Sequence, residues 1–386
     1  MMTKLNRIYL DYAATTPMAE EVVAAMLPYF RDEFGNPSSI HRFGQHAEAA
    51  LEEARAVIAA HLNCSVEEVI FTSGGTESDN LALRGCAIAR RERFGANHLL
   101  ISAVEHHAVS QTAEQLANHF GFELEVLEVD SNGLVPLDAV RKRIRPNTAL
   151  VSIIYANNEI GTINPIREIG SICREYGVPF HTDAVQATSY LSLDVESLNL
   201  DLLSLGAHKF YGPKGIGVLY IRKDTPLLPI QTGGGQEWGM RSGTQNVPYI
   251  VGMSAAIQFV RKNQELWNKS IPRLRDWLIE KVLQEIPKSK LTGHQTQRLP
   301  NHASFVFESI DSQKLLALLD LAGFACSSGS ACKTGNPSPS EVLLSLGLSE
   351  ELALSSLRVT IGKDTTLENL EGFFNSLKVA IERLRN

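Results

Sequence analysis

The chain has 386 residues, 44% of them hydrophobic and 20% charged, with 28 Gly, 16 Pro and a formal net charge of −7. This composition excludes a disordered or fibrous polymer, and the absence of a basic block removes the electrostatic footprint expected for nucleic acid or an anionic membrane. The length exceeds one ordinary core and predicts a large and a smaller domain. Five scattered cysteines, Cys64, Cys86, Cys173, Cys326 and Cys332, have no Cys-x-x-Cys spacing, so they predict reduced thiols in a cytoplasmic protein and no metal site. The first eleven residues lack the apolar run of a signal peptide, and no stretch reaches transmembrane length.

In chain order, short apolar runs at 68–71, 98–101, 124–127, 149–154 and 217–221 predict strands. Amphipathic stretches at 46–62, 76–93, 109–119, 166–176 and 248–285 predict helices. The alternation implies an α/β fold with a largely parallel sheet whose ligands sit beyond the carboxyl ends of the strands. A second unit follows, with a strand at 303–307, helices at 311–322 and 340–346, a strand at 356–361 and a terminal helix at 366–384.

Two residues carry the first chemical signal. Asp183 lies in the apolar-flanked run Val178-Pro179-Phe180-His181-Thr182-Asp183-Ala184, and Lys209 follows 26 residues later in Gly206-Ala207-His208-Lys209. An amine after one buried strand and a carboxylate after another suit pyridoxal 5'-phosphate (PLP), whose aldehyde is held by a lysine and whose pyridine nitrogen is kept protonated by an acid.

Ser73-Gly74-Gly75-Thr76-Glu77-Ser78-Asp79-Asn80 joins a strand to a helix. It reads either as a phosphate cradle of backbone N–H groups with the Thr76 hydroxyl, or as an ordinary helix cap with Thr76 capping and Asp79 in the capping-box position. Glu105-His106-His107 offers a ring-stacking or proton-transfer imidazole, and His208 a phosphate donor or a structural partner. Asn157-Asn158 reads as cofactor-directed amides or as a turn, with Gln186 a further amide beyond Asp183. Arg358 suits a carboxylate or a surface ion pair. Cys332 lies on a Gly, Ser and Pro-rich loop that would keep a thiol accessible, whereas Cys326 reads as a buried, inert one.

Taken together, these segments resemble the cysteine desulfurase family of fold-type-I PLP enzymes, the NifS/IscS type. The resemblance also rests on Tyr9-Leu10-Asp11-Tyr12-Ala13-Ala14-Thr15-Thr16-Pro17, Phe34-Gly35-Asn36-Pro37-Ser38, Gly239-Met240-Arg241-Ser242-Gly243-Thr244 and Ser327-Ser328-Gly329-Ser330-Ala331-Cys332. It implies a PLP-dependent transferase fold of type I: a large domain, 15–255, with a mostly parallel seven-stranded sheet, and a smaller α+β domain made of 1–14 and 256–386.

By the same resemblance, Lys209 would hold the cofactor aldehyde, Asp183 would pair with the ring nitrogen and His106 would stack on the ring. Gln186 and Asn158 would contact cofactor or substrate. Gly75, Thr76 and His208 would take the phosphate, with Thr244 reaching across a homodimer. Asn36 and Arg358 would hold the carboxylate of L-cysteine, and Cys332 would accept its sulfur as a persulfide while L-alanine leaves. The expected partner is a sulfur-acceptor protein, such as an iron–sulfur scaffold. Selenocysteine lyase, cystine C–S lyase and a non-catalytic assembly partner are the alternatives.

Three departures stand out. Gly206-Ala207 replaces the family's Ser-Gly, so one phosphate hydroxyl is missing. The segment after Cys332 reads Lys333-Thr334-Gly335-Asn336-Pro337, and the sequence ends at Asn386 without the extension by which housekeeping members dock a scaffold.

Overall fold

The computed structural model describes residues 7–329 and 338–386. Its strands are β1 (Ile8–Tyr9), β2 (Val69–Thr72), β3 (His98–Ser102), β4 (Glu123–Leu127), β5 (Thr148–Ser152), β6 (Phe180–Asp183), β7 (Leu202–Gly206), β8 (Gly217–Ile221), β9 (Ser289–Leu291), β10 (His302–Phe307), β11 (Phe324–Ala325) and β12 (Ser356–Thr360).

Seven strands form one sheet in the order β2-β8-β7-β6-β5-β3-β4. The pairs β7-β6, β6-β5, β5-β3 and β3-β4 are parallel, whereas β8 runs antiparallel to both β2 and β7. The fully buried β3, β5, β6 and β7 are the near-continuous apolar or small-polar runs that a sheet covered on both faces requires. At the edge, β4 carries the charges: Glu123 and Glu125 pair with Arg143 and Arg145, which keeps that strand from recruiting another.

Two reversals around β8 leave β2 parallel to β7, so β2, β3, β5, β6 and β7 all end on the same side of the sheet. That single edge receives Gly74–Thr76, Glu105–His106, Ile154–Asn158, Asp183 and Lys209. The site is therefore a consequence of strand direction.

A smaller antiparallel sheet, β12-β10-β9, and the parallel pair β1-β11 lie in the later part of the chain and at its start. The backbone bridge from Asp11 to Thr360 ties the N-terminal segment to β12. A 39-residue helix, Val247–Glu285, connects the two regions; Asn246 caps it by accepting from the Tyr249 N–H.

Most helix limits lie within two residues of those expected from the sequence. The exception is Arg42–Leu62, which starts four residues early because the His41 ring caps it by accepting from the Gly44 N–H. Helices Glu20–Met26 and Leu137–Arg143 were not foreseen; each has only two turns, too short for an apolar period to declare itself. Among the described residues, no helix is long and apolar enough to cross a membrane.

Candidate active site

The five segments that converge on the sheet edge enclose a cavity of about 220 Å³ lined by Gly75, Thr76, Asp79, His106, Ile154, Asn158, Asp183, Val185, Gln186, His208 and Lys209. Eight of these, Gly75, Thr76, His106, Asn158, Asp183, Gln186, His208 and Lys209, were singled out from the sequence. Asp79, Ile154 and Val185 were not assigned to it.

Lys209 follows β7 on a single tight turn, Ala207–Lys209. Its Nζ donates to the carbonyls of Ala13 (2.6 Å) and Ala14 (2.7 Å). Burial lowers its pKa from the usual lysine value to about 8, and the nearby Arg358 cation pushes the same way, while Asp183 and Asp11 oppose. A fraction of the amine is thus unprotonated near neutral pH, the state a carbonyl-capturing nucleophile needs.

Asp183 ends β6, and its Oδ1 accepts from the Val185 N–H at 2.9 Å. It is buried, lines the cavity and has no ion-pair partner among the described residues. Beside it lies Asp79, also buried, whose Oδ1 has no hydrogen-bond partner. Burial first, then the proximity of Asp183, raises Asp79 well above the carboxylate range. Burial raises Asp183 too, but the His106 and Lys209 charges and the Val185 N–H pull it back. Of the two acids Asp79 therefore keeps the proton, and Asp183 is the one that can carry a negative charge toward the cavity.

Beneath them His181 links Ser152 (2.8 Å) and Ser204 (3.0 Å). Burial holds its pKa down at about 3, so the ring is neutral.

His106 is the N-cap of helix His107–Phe120, with Nδ1 accepting from the Ala108 N–H at 3.1 Å. That bond places the remaining ring proton on Nε2. Desolvation lowers its pKa, Lys209 and His107 add to the fall, and Asp183 opposes it. The reactive atoms of Asp79, His106 and Asp183 lie within 4.8 Å of one another.

The capping explanation for Thr76 and Asp79 fails. The helix begins at Gly75, its N-cap is Gly74 without a side-chain bond, and Asp79 points inward instead of back to the cap. Gly74 has φ 156°, a conformation side chains rarely adopt, and a Cβ on Gly75 would lie 2.8 Å from Val185 Cγ2. These two glycines bring the backbone at the helix N-terminus up to the cavity wall. Glu77 fixes the loop from behind by accepting from the Ser73 N–H and pairing with Arg241 at 2.7 Å. At Gly206 a Cβ would sit 3.3 Å from the Gly75 nitrogen, so the position that lacks a serine does face the cradle. His208 Nδ1 lies 3.2 Å from Thr15 Oγ1, and burial lowers its pKa to about 4, so its ring is neutral.

Asn157 fits the turn reading, and Asn158 stands at the cavity. Asn157 builds the turn: its Oδ1 accepts from the N–H groups of Glu159 and Ile160 and its Nδ2 donates to the Val104 carbonyl. Asn158 lines the cavity. Gln186 donates to the Ala13 carbonyl at 2.9 Å.

Arg358 is no surface ion pair. It is 8% exposed and donates to Asp11 (2.9 Å) and to the Asn158 carbonyl (3.1 Å). Asn36 and Thr244 are exposed and stand apart from the cavity lining. Cys326 is the hydrophobic thiol expected, its pKa pushed up to about 12 by burial. Cys332 lies outside the described residues.

Asp11, Asp79 and Glu105 are the functional-looking groups that sequence reasoning passed over. Asp11 and Glu105 lie within the motifs at 9–17 and 105–107, but nothing in the spacing gives them a partner. Glu105 is buried, accepts from Ser102 and from the Ile154 N–H (2.8 Å), and burial raises its pKa from 4.5 to about 8. The folded chain thus keeps a proton that the unfolded chain has released between those values, and stability falls as pH rises through that window. Glu105→Gln should flatten this decline in calorimetric Tm between about pH 5 and 8; a slope equal to that of the unaltered chain would contradict the assignment.

The family description Aminotransferase class-V matches residues 8–373. The chain belongs to the class-V aminotransferase family. Within it the chain is of the cysteine desulfurase, NifS/IscS, type. The cysteine desulfurase IscS of Methanosarcina thermophila is 46% identical over 384 residues, covering 100% of this chain and 94% of that one. That of Dictyoglomus turgidum is 46% identical over 380 residues, 98% of this chain and 96% of the other. Among solved structures, a NifS-like protein superposes with a TM-score of 0.91 at 34% identity, covering 98% of this chain and 100% of that one. SspA in complex with cysteine does so with 0.80 at 37%, covering 92% and 98%.

The fold is accordingly that of the type-I PLP enzymes, and this family member is a PLP-dependent enzyme. The cavity fits that cofactor on its own evidence. It sets Asp183, a buried carboxylate with no ion-pair partner among the described residues, beside an amine of lowered pKa, and Gly75 and Thr76 at a helix N-terminus line its wall.

Proposed function

We propose that the enzyme is a cysteine desulfurase acting on L-cysteine, with Cys332 receiving the sulfur. The observation that carries this reading is the convergence of Lys209, Asp183 and the Gly75–Thr76 cradle on one cavity whose neighbour, Arg358, is a buried cation beside Asn158. Gly75, Thr76 and His208 would hold the phosphate, Asp183 the ring nitrogen, and His106 the ring face, with Asn158 and Gln186 at its edge. Bound PLP supplies an electron sink for the carbanion at the substrate Cα.

The protein's own groups do the rest. Arg358 takes the substrate carboxylate and aims the amino group at the site of capture. Lys209 Nζ, part unprotonated at neutral pH, moves the Cα proton. The Cys332 thiolate attacks the substrate sulfur; the C–S bond breaks, an S–S bond forms, and a proton is added at the former Cβ. The products are L-alanine and a persulfide on Cys332, a redox-neutral exchange whose sulfur passes to an acceptor protein in iron–sulfur or other cofactor assembly.

We also read the chain as a cytoplasmic homodimer, with residues 15–255 as the PLP-binding unit and 1–14 with 256–386 as the second. A run of exposed apolar side chains between residues 27 and 43, including Phe30 (53%), Phe34 (68%), Ile40 (93%) and Phe43 (54%), supports a partner surface. Thr244 would reach the partner's phosphate site.

Incubation of the PLP-loaded protein with L-cysteine and a thiol reductant should yield alanine and sulfide in equal amounts. Pyruvate with ammonia in place of alanine, or cleavage of cystine alone, would reject the proposal.

A further inference from the structure

The segment after β1 is bridged to β12 at Asp11–Thr360 and runs on to the cavity, and its first charged side chain is Asp11. One carboxylate oxygen of Asp11 accepts from Arg358 Nη2 at 2.9 Å; the other accepts from the Ser327 hydroxyl at 2.7 Å. Arg358 Nη1 donates to the Asn158 carbonyl at 3.1 Å, and its Nε is buried without an acceptor. The ion pair is mostly shielded, with side-chain exposures of 9% and 15%.

A guanidinium is a planar fork, so acceptors on both of its outer nitrogens fix the plane as well as the position. With its second oxygen engaged by Ser327, the Asp11 carboxylate cannot turn to release the first without losing a bond. Two residues further on, the Ala13 carbonyl accepts from both Lys209 and Gln186. The same short segment thus indexes the guanidinium and the amine against each other.

Asp11 also neutralises much of the Arg358 charge. Were attraction alone needed, that would weaken anion binding; the arrangement favours orientation over charge. We propose that Asp11 is a positioning residue for substrate recognition, holding Arg358 so that its guanidinium meets the carboxylate of an α-amino acid and thereby setting the preference for amino acids over plain amines. This rests on the reading of Arg358 as the carboxylate-binding residue. The competing view is that the pair only fastens the N-terminal segment to β12.

The test titrates the PLP-loaded enzyme with L-alanine and with ethylamine, following the cofactor absorbance, in the unaltered chain and in Asp11→Ala, Asp11→Asn and Ser327→Ala. Asp11→Ala should weaken L-alanine binding about tenfold or more, the size of one lost charge-assisted contact, and leave ethylamine within about twofold. Asp11→Asn keeps an acceptor for Nη2 and should recover to within about threefold of the unaltered chain. Ser327→Ala, which removes only the strut behind Asp11, should shift L-alanine in the same direction by about two- to threefold.

A ratio of the two affinities unchanged in Asp11→Ala, or Asp11→Asn as weak as Asp11→Ala, would overturn the proposal. If Asp11→Ala does not fold, an unchanged ratio in Ser327→Ala does so. Arg358→Gln is the reference: if it leaves the ratio intact, the carboxylate-binding reading of Arg358 itself falls.

Discussion

Lys209→Ala should lose covalent capture of the cofactor and turn over L-cysteine roughly 10³-fold more slowly or worse, since one side chain supplies both the nucleophile and the proton-transfer group. The neighbours offer no substitute. His208 is held neutral by burial, with its pKa at about 4, and its Nδ1 faces Thr15; Lys214 does not line the cavity. The variant should still bind PLP, because the Gly75–Thr76 cradle and Asp183 do not depend on the amine. Borohydride reduction followed by peptide mapping reads the attachment, and alanine release reads the turnover. A chromophore still fixed by borohydride at another residue, or activity within about tenfold of the unaltered enzyme, would contradict the assignment.

Cys332→Ala should have the opposite signature. Cofactor absorbance, borohydride labelling of Lys209 and the spectral response to L-alanine should all persist. Alanine and sulfide production from L-cysteine should fall at least about 10²-fold, the lower end of what loss of a nucleophile costs. The other cysteines cannot stand in for it. Burial pushes the Cys64, Cys86 and Cys326 thiols up to about 12 and raises Cys173 as well, so none supplies thiolate at neutral pH. Full alanine formation by the variant would reassign the acceptor.

The parts of the site that were legible in the sequence share one property: the signal was local. Strand runs such as Leu99-Leu100-Ile101 and Ala149-Leu150-Val151 end where function begins, so the residues just past them, His106, Asn158, Asp183 and Lys209, could be picked out by position. Gly74-Gly75-Thr76 declared its backbone geometry through residue type. What was missed is long-range. Asp11 meets Arg358 across 347 residues, and no spacing rule reaches that far.

Asp79 was hidden for a different reason. Read along the chain it fits a helix cap; only the packing of helix Gly75–Asn80 on β7 and β8 brings it near Asp183 and His181. Likewise, the antiparallel insertion of β8 is invisible to an apolar pattern that records burial but not direction. Yet that reversal is what returns β2, and with it the glycine cradle, to the same edge as the lysine.

The proposed mechanism turns on sulfur leaving L-cysteine for Cys332. Mass spectrometry of the PLP-loaded enzyme after brief exposure to L-cysteine, without reductant, tests it most directly. One added sulfur atom is expected on the peptide that contains Cys332, removable by reductant, accompanied by one equivalent of alanine. Alanine release with that peptide unmodified, or the added sulfur found on Cys64, Cys86, Cys173 or Cys326, would contradict it.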